Sequence, residues 1–266
     1  MKRTKQCSTD TRKIRQQKDF ESDIDFIYFH QQDDTPIWWK SELYRAHPSL
    51  DFDYAQSLSQ DERFDYLRRE LLQIRNDKQA DIEKSIHMFE NAWEPVAKNL
   101  NDAYYSAFDI DCSGILNDMV GLVGLNPICP RDLSDNNFSV YYYFDPNYAV
   151  SMALHEITHF VWFYVWQQHF KDDEEEYNFP HLKWLLSELV VETIIRNSDI
   201  AKLSPPPEYI AYKYFYSMDI DGKPIFDTLR DMYINRKSFP DFMETAYGWI
   251  LKNEPELRTK IAEAEK

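Results

Sequence analysis

The stretch from Tyr148 to His169 constrains this chain more than any other. Leu154, Ile157, Val161 and Val165 fall on one helical stripe, and Phe160, Trp162, Phe163 and Trp166 cover much of the rest. A helix apolar nearly all round has no face to give to water, so it must run through a protein interior. A chain of 266 residues is long enough to build that interior without disulfides. Only 5 residues are glycine, while 16% are aromatic, which favours helices over a turn-rich sandwich or propeller.

The surrounding pattern is also mostly helical. Ser59 and Glu62 have the spacing of a capping box, and Phe64, Leu67, Leu71 and Ile74 follow it at helical intervals. A second helix is predicted from about Ala80 to Phe108, kinked at Pro95. Ile24–Phe29 fits either a strand or a short aromatic helix, and Trp38 and Trp39 are expected in a core. The composition shifts at Asp109. From there to Pro146 glycines and prolines concentrate, and Phe138–Phe144 is dense in β-formers, so short strands and turns belong here. The acidic run Asp172–Glu176 lacks the spacing of a calcium loop and reads as a solvated loop. A helix follows over about His181–Arg196, with two or three more near 208–217, 224–236 and 240–252.

The buried helix contains His155-Glu156-Ile157-Thr158-His159. Residues four apart share a helix face, so both imidazoles can reach one zinc ion. Glu156 can lean over the open side and exchange a proton with a water there. Two histidines and a glutamate on so apolar a helix would be costly without a shared partner. A catalytic zinc needs a third protein ligand. The candidates downstream are His181, Glu188 and Glu192. Glu188 and Glu192 are the only acids between Leu182 and Ile195, and their i, i+4 spacing puts them on one face.

H-E-I-T-H followed by a helix bearing E-x-x-x-E resembles the gluzincin metallopeptidases, typified by thermolysin. The resemblance covers roughly residues 79–197. It departs from the pattern at Ser187, where thermolysin-like enzymes carry Asn, and no metzincin extension follows His159. It implies an α+β, predominantly helical fold: a zincin-like core with a small β-sheet, an active-site helix and a following glutamate helix. It implies one zinc per chain on His155, His159 and Glu188, with Glu156 as general base and Glu192 supporting a ligating histidine. It also implies that Phe138–Phe144 is an edge strand beside the zinc. Side chains alternate along a strand, so Tyr141 and Tyr143 would share one face and are assigned to substrate binding. Tyr209, Tyr212, Tyr214 and Tyr216 are further candidates, one of which could donate to an oxyanion. The expected organisation is a basic disordered arm (1–19), a helical or mixed region (20–78), the catalytic core (79–204) and a helical C-terminal region (205–266).

Charge narrows the partners. The net charge is −16, although the first 19 residues carry +5, so nucleic acid is not an expected partner. No signal-like or membrane-spanning apolar run is present, and three cysteines without Cys-x-x-Cys spacing read as reduced thiols. These features predict a cytoplasmic enzyme acting on peptides or proteins. Two alternatives fit the same residues: a regulatory cytosolic metalloprotease with one protein substrate, and a non-catalytic helical interaction protein that retains the motif.

Overall fold

The computed structural model describes residues 13–16, 20–117, 119–172 and 174–265. These are mostly helical with a small sheet. The chain divides into two compact units, each assembled from two separate stretches. The first extends to Trp93 and takes in Leu116–Ala149; the second comprises Glu94–Ile115 and everything from Val150 onward.

The first unit combines strand β1 (Lys13–Gln16) with helices α1 (Phe20–Phe29), α2 (Ile37–Ala46), α3 (Phe52–Ser57), α4 (Gln60–Asp77) and most of α5 (Gln79–Ala97). Strands β2 (Val120–Gly124), β3 (Arg131–Asp132) and β4 (Asn137–Tyr141) complete it. The ambiguous Ile24–Phe29 segment is helical: Ile24 and Ile27 are buried, and α1 packs on α4. The Ser59–Glu62 capping box is present at the start of α4, and Leu67 and Leu71 lie in the core. Trp39 is buried as expected.

The sheet has strand order β1-β2-β4-β3, with β1, β2 and β4 parallel and β3 antiparallel to β4. Two expectations change here. Residues 13–16 of the basic arm form a strand beside β2, while 1–12 and 17–19 lie outside the described residues. The Phe138–Phe144 segment is not an edge strand at its start. β2 pairs with β4 along Asn137–Tyr141, and β3 covers Asn137 and Phe138 on the other side. The strand also stops at Tyr141, because the chain turns back there: Phe144 N–H donates to the Tyr141 carbonyl.

The second unit holds α6 (Leu100–Phe108), α7 (Ser113–Leu116), α8 (Pro146–Phe170), α9 (Leu182–Arg196), α10 (Ile200–Leu203), a small hairpin of β5 (Asp219–Ile220) and β6 (Lys223–Pro224), α11 (Ile225–Ile234) and α12 (Phe239–Ala264). The helix predicted over Ala80–Phe108 is broken rather than kinked. Pro95 removes one hydrogen bond in the last turn of α5, and Asn99 takes the N-cap position of α6. Every residue of α9 from Leu185 to Ile195 is buried, with α11 and α12 packed against it. The core is aromatic: Trp162 lies against Phe239 and Phe242, and Phe108 against Phe239. The 79–204 core expected from the sequence is therefore no compact unit. Its strands belong to the first unit, whereas the C-terminal helices belong with α9.

Candidate metal centre

The site is built in the second unit from two buried helices. On α8, the turn carrying the motif is pinned from the side. Tyr104 on α6 donates to the Leu154 carbonyl at 2.9 Å, and its hydroxyl lies 2.8 Å from Thr158 Oγ1. Thr158 Oγ1 also bonds the Leu154 carbonyl at 2.7 Å. Tyr104, from a neighbouring helix, thus ties both the Leu154 carbonyl and Thr158, which frame the turn between His155 and His159.

The two imidazoles then meet as helical spacing requires, with Nε2 of His155 and Nε2 of His159 3.0 Å apart. Glu188 approaches from α9. Its Oε1 lies 3.4 Å from His159 Nε2, and its Oε2 lies 3.8 Å from His155 Nε2. All three residues are buried, His159 completely, and one ligand atom from each falls within 4.8 Å of the others. Four-coordinate ligands with bonds of about 2.0–2.1 Å sit roughly 3.3–3.4 Å apart. The observed separations bracket that value, so the group can hold one metal ion. No second such group is found among the described residues. Glu156 Oε1 reaches to 3.8 Å from His155 Nε2, on the same side as the ligand atoms.

Other candidates fall elsewhere. His181 is exposed at the N-cap of α9 and is no part of the cluster. Glu192 supports no histidine. Its Oε1 pairs with Arg196 Nε, and its Oε2 accepts a 2.6 Å hydrogen bond from the Tyr216 hydroxyl. The reason is proximity along the helix: Arg196 is four residues on and takes the carboxylate first. Tyr141 is buried, and its hydroxyl is engaged on the Ala46 carbonyl at 3.1 Å. Tyr143 lies beyond the strand and is 77% exposed. The edge-strand premise for both changes only in part: β3 covers that edge at Asn137 and Phe138, and Tyr143 lies outside the strand. Burial foremost, then the charges of Glu265 and Glu188, push the Tyr214 phenol well above the usual range. Cys112 and Cys129 are buried thiols; burial pushes Cys112 up to about 12, and Cys7 lies outside the described residues.

Sequence reasoning missed the contacts that close the α8–α9 connection. Lys183 is buried in the first turn of α9 and pairs with Asp172 at 2.5 Å and with Glu176. Asp172 also accepts from Trp166 Nε1 and the Tyr177 hydroxyl. Two acids of the run, Asp172 and Glu176, are thus committed to a buried lysine. A lone Lys in an apolar helix was the available signal.

No family model, curated protein or solved structure matches this chain. Its chemistry is therefore read from these side chains.

Proposed function

We propose that this protein is a zinc-dependent metallopeptidase with a zincin-like core, acting on peptide or protein substrates in the cytosol. The observation that carries this reading is the convergence of His155, His159 and Glu188 from two buried helices. Two imidazoles and a carboxylate are the donor set of a catalytic zinc, and three protein ligands leave one position open. When bound, zinc supplies Lewis acidity to the scissile carbonyl and acidifies water.

The chain's own residues would do the rest. Glu156, beside His155 Nε2, takes the proton of the attacking water and passes it to the leaving amine nitrogen. Tyr104 and Thr158 keep the α8 turn fixed while that proton moves.

Purified protein is expected to carry about one zinc per chain, measured by elemental analysis. Glu156→Gln should keep the ion and lose about 10²–10⁴-fold in peptide hydrolysis. Failure to bind any transition metal after zinc addition overturns the proposal. Undiminished turnover in the variant would take the proton transfer away from Glu156.

A further inference from the structure

Glu192 lies one turn beyond Glu188, is as buried as the ligand, and serves a different part of the chain. The Tyr216 hydroxyl that donates to it also accepts the backbone N–H groups of Ile210, at 2.8 Å, and Ala211, at 3.3 Å. Arg196, held by the other carboxylate oxygen, donates through Nη2 to the carbonyls of Pro207 and Glu208 at 2.8 and 2.7 Å. Four backbone groups of the 207–211 segment are thus tied to one carboxylate through two side chains.

The path of this segment can be read off α9. Trp184, Glu188 and Glu192 are spaced i, i+4, i+8 and form one stripe of the helix. Tyr212 meets the first, with its ring 6.3 Å from that of Trp184. Tyr216 meets the third. Tyr214 lies between them in the chain and stacks on Tyr212 at 5.7 Å. The influence of Glu188 on the Tyr214 phenol agrees with that order. The segment therefore runs lengthwise along the stripe, with the metal ligand at its midpoint.

We propose that Glu192 is a positioning residue that fastens residues 207–216 as a strap along the Glu188 face of α9, making the strap one wall of the substrate cleft. The cleft rests on the metallopeptidase reading; the fastening does not. A carboxylate this buried is tolerable because both oxygens are bonded, one of them to a charge.

The test uses full-length Glu192→Gln and Tyr216→Phe with three measurements: hydrogen exchange over 207–216, zinc affinity by chelator competition, and kcat and KM on a peptide that the unaltered protein cleaves. Exchange in the strap should rise by roughly tenfold or more in both variants. Zinc affinity should stay within about threefold, and KM should rise more than kcat falls. Tyr216→Phe keeps the ring and both charges, so it answers even if Glu192→Gln folds poorly. A zinc-affinity loss of about 10- to 100-fold, the mark of an acid that orients a ligand, overturns the proposal. So does unchanged exchange in the strap, or an unchanged KM. A zinc-loaded protein that cleaves no peptide defeats the peptidase reading and with it the cleft wall, whereas unchanged exchange defeats the fastening, so the two failures are distinguishable.

Discussion

Asp23 on α1 is 2% exposed, and its carboxylate lies against the backbone of Gly124 and Leu125. A Cβ at Gly124 would fall 2.7–2.8 Å from the Asp23 oxygens, so this approach requires glycine. Burial pushes the carboxyl up to about 6, against the lowering effects of the Leu125 N–H and Arg75. The folded protein therefore holds this proton more tightly than the unfolded chain. The associated stability is fully present below about pH 4 and is lost as pH rises through about 6. Asp23→Asn removes that cost while keeping the shape. Urea unfolding should show a gain at pH 7 of up to about 3 kcal/mol that shrinks toward pH 4. A loss at pH 7 would mean that the carboxylate stabilises its surroundings when ionised. The candidate metal-binding group illustrates what a sequence reveals at this scale. His155 and His159 are legible because i, i+4 spacing is local; two acids, Glu188 and Glu192, stand out equally in an apolar helix, and the choice of Glu188 rests on the resemblance. The more distant partner of Glu192 is not legible, since Tyr216 lies 24 residues on and nothing in a run of tyrosines marks one of them.

The long helices α4, α8 and α9 were readable from their apolar spacing, and α4 also from its capping box, because both follow from neighbouring residues. The sheet was readable only in part. β-formers predict that a strand exists at Phe138–Tyr141, but its neighbours depend on segments far away in the chain. β1 sits in a charged arm with no strand pattern and was missed for that reason. The join between α8 and α9 supplies a prediction at this level. Burial tends to raise the Asp172 carboxyl, but hydrogen bonds from Lys183, Trp166 and Tyr177 outweigh it and hold the group below its ordinary value. Its contribution to stability is present above the unfolded value and lost as pH falls through the lowered one. Lys183→Met should destabilise the metal-free protein by about 1–3 kcal/mol at pH 7 and flatten its acid limb. It should also weaken zinc binding, because Glu188 rides on the helix that Lys183 anchors. Equal stability of the variant across pH 3–7 would remove the lysine from that role.

At the scale of the whole molecule, neither unit is a continuous stretch of sequence. The composition change at Asp109 marks where turns begin and gives no unit boundary, since it reflects backbone needs rather than packing. The second unit depends on residues 94–115. Tyr104 pins the motif turn, and the Ala107 carbonyl accepts a 2.8 Å hydrogen bond from Tyr233. A fragment of residues 146–266 should therefore lack a cooperative thermal transition and bind zinc weakly. Adding a 94–115 peptide should recover part of both, followed by circular dichroism and chelator competition. A fragment that melts cooperatively and binds zinc like the full chain would show that 94–115 is dispensable.

The pairing of β1 with β2 bears on how the protein is made. The two strands are separated by about a hundred residues, and a ribosome adding roughly 5–20 residues per second needs on the order of ten seconds to cover them. Helices α1–α5 leave the ribosome in that interval, ahead of the sheet that shares their unit. Among the described strands of this sheet, β3 and β4 alone are joined by a short turn, so pairing begins there at the smallest cost in chain entropy. β2 is made before them and gains its β4 neighbour last, and β1, the earliest of the described strands of this sheet, has to wait for β2. Slowing translation between residues 17 and 119 would lengthen the time β1 spends without its neighbour.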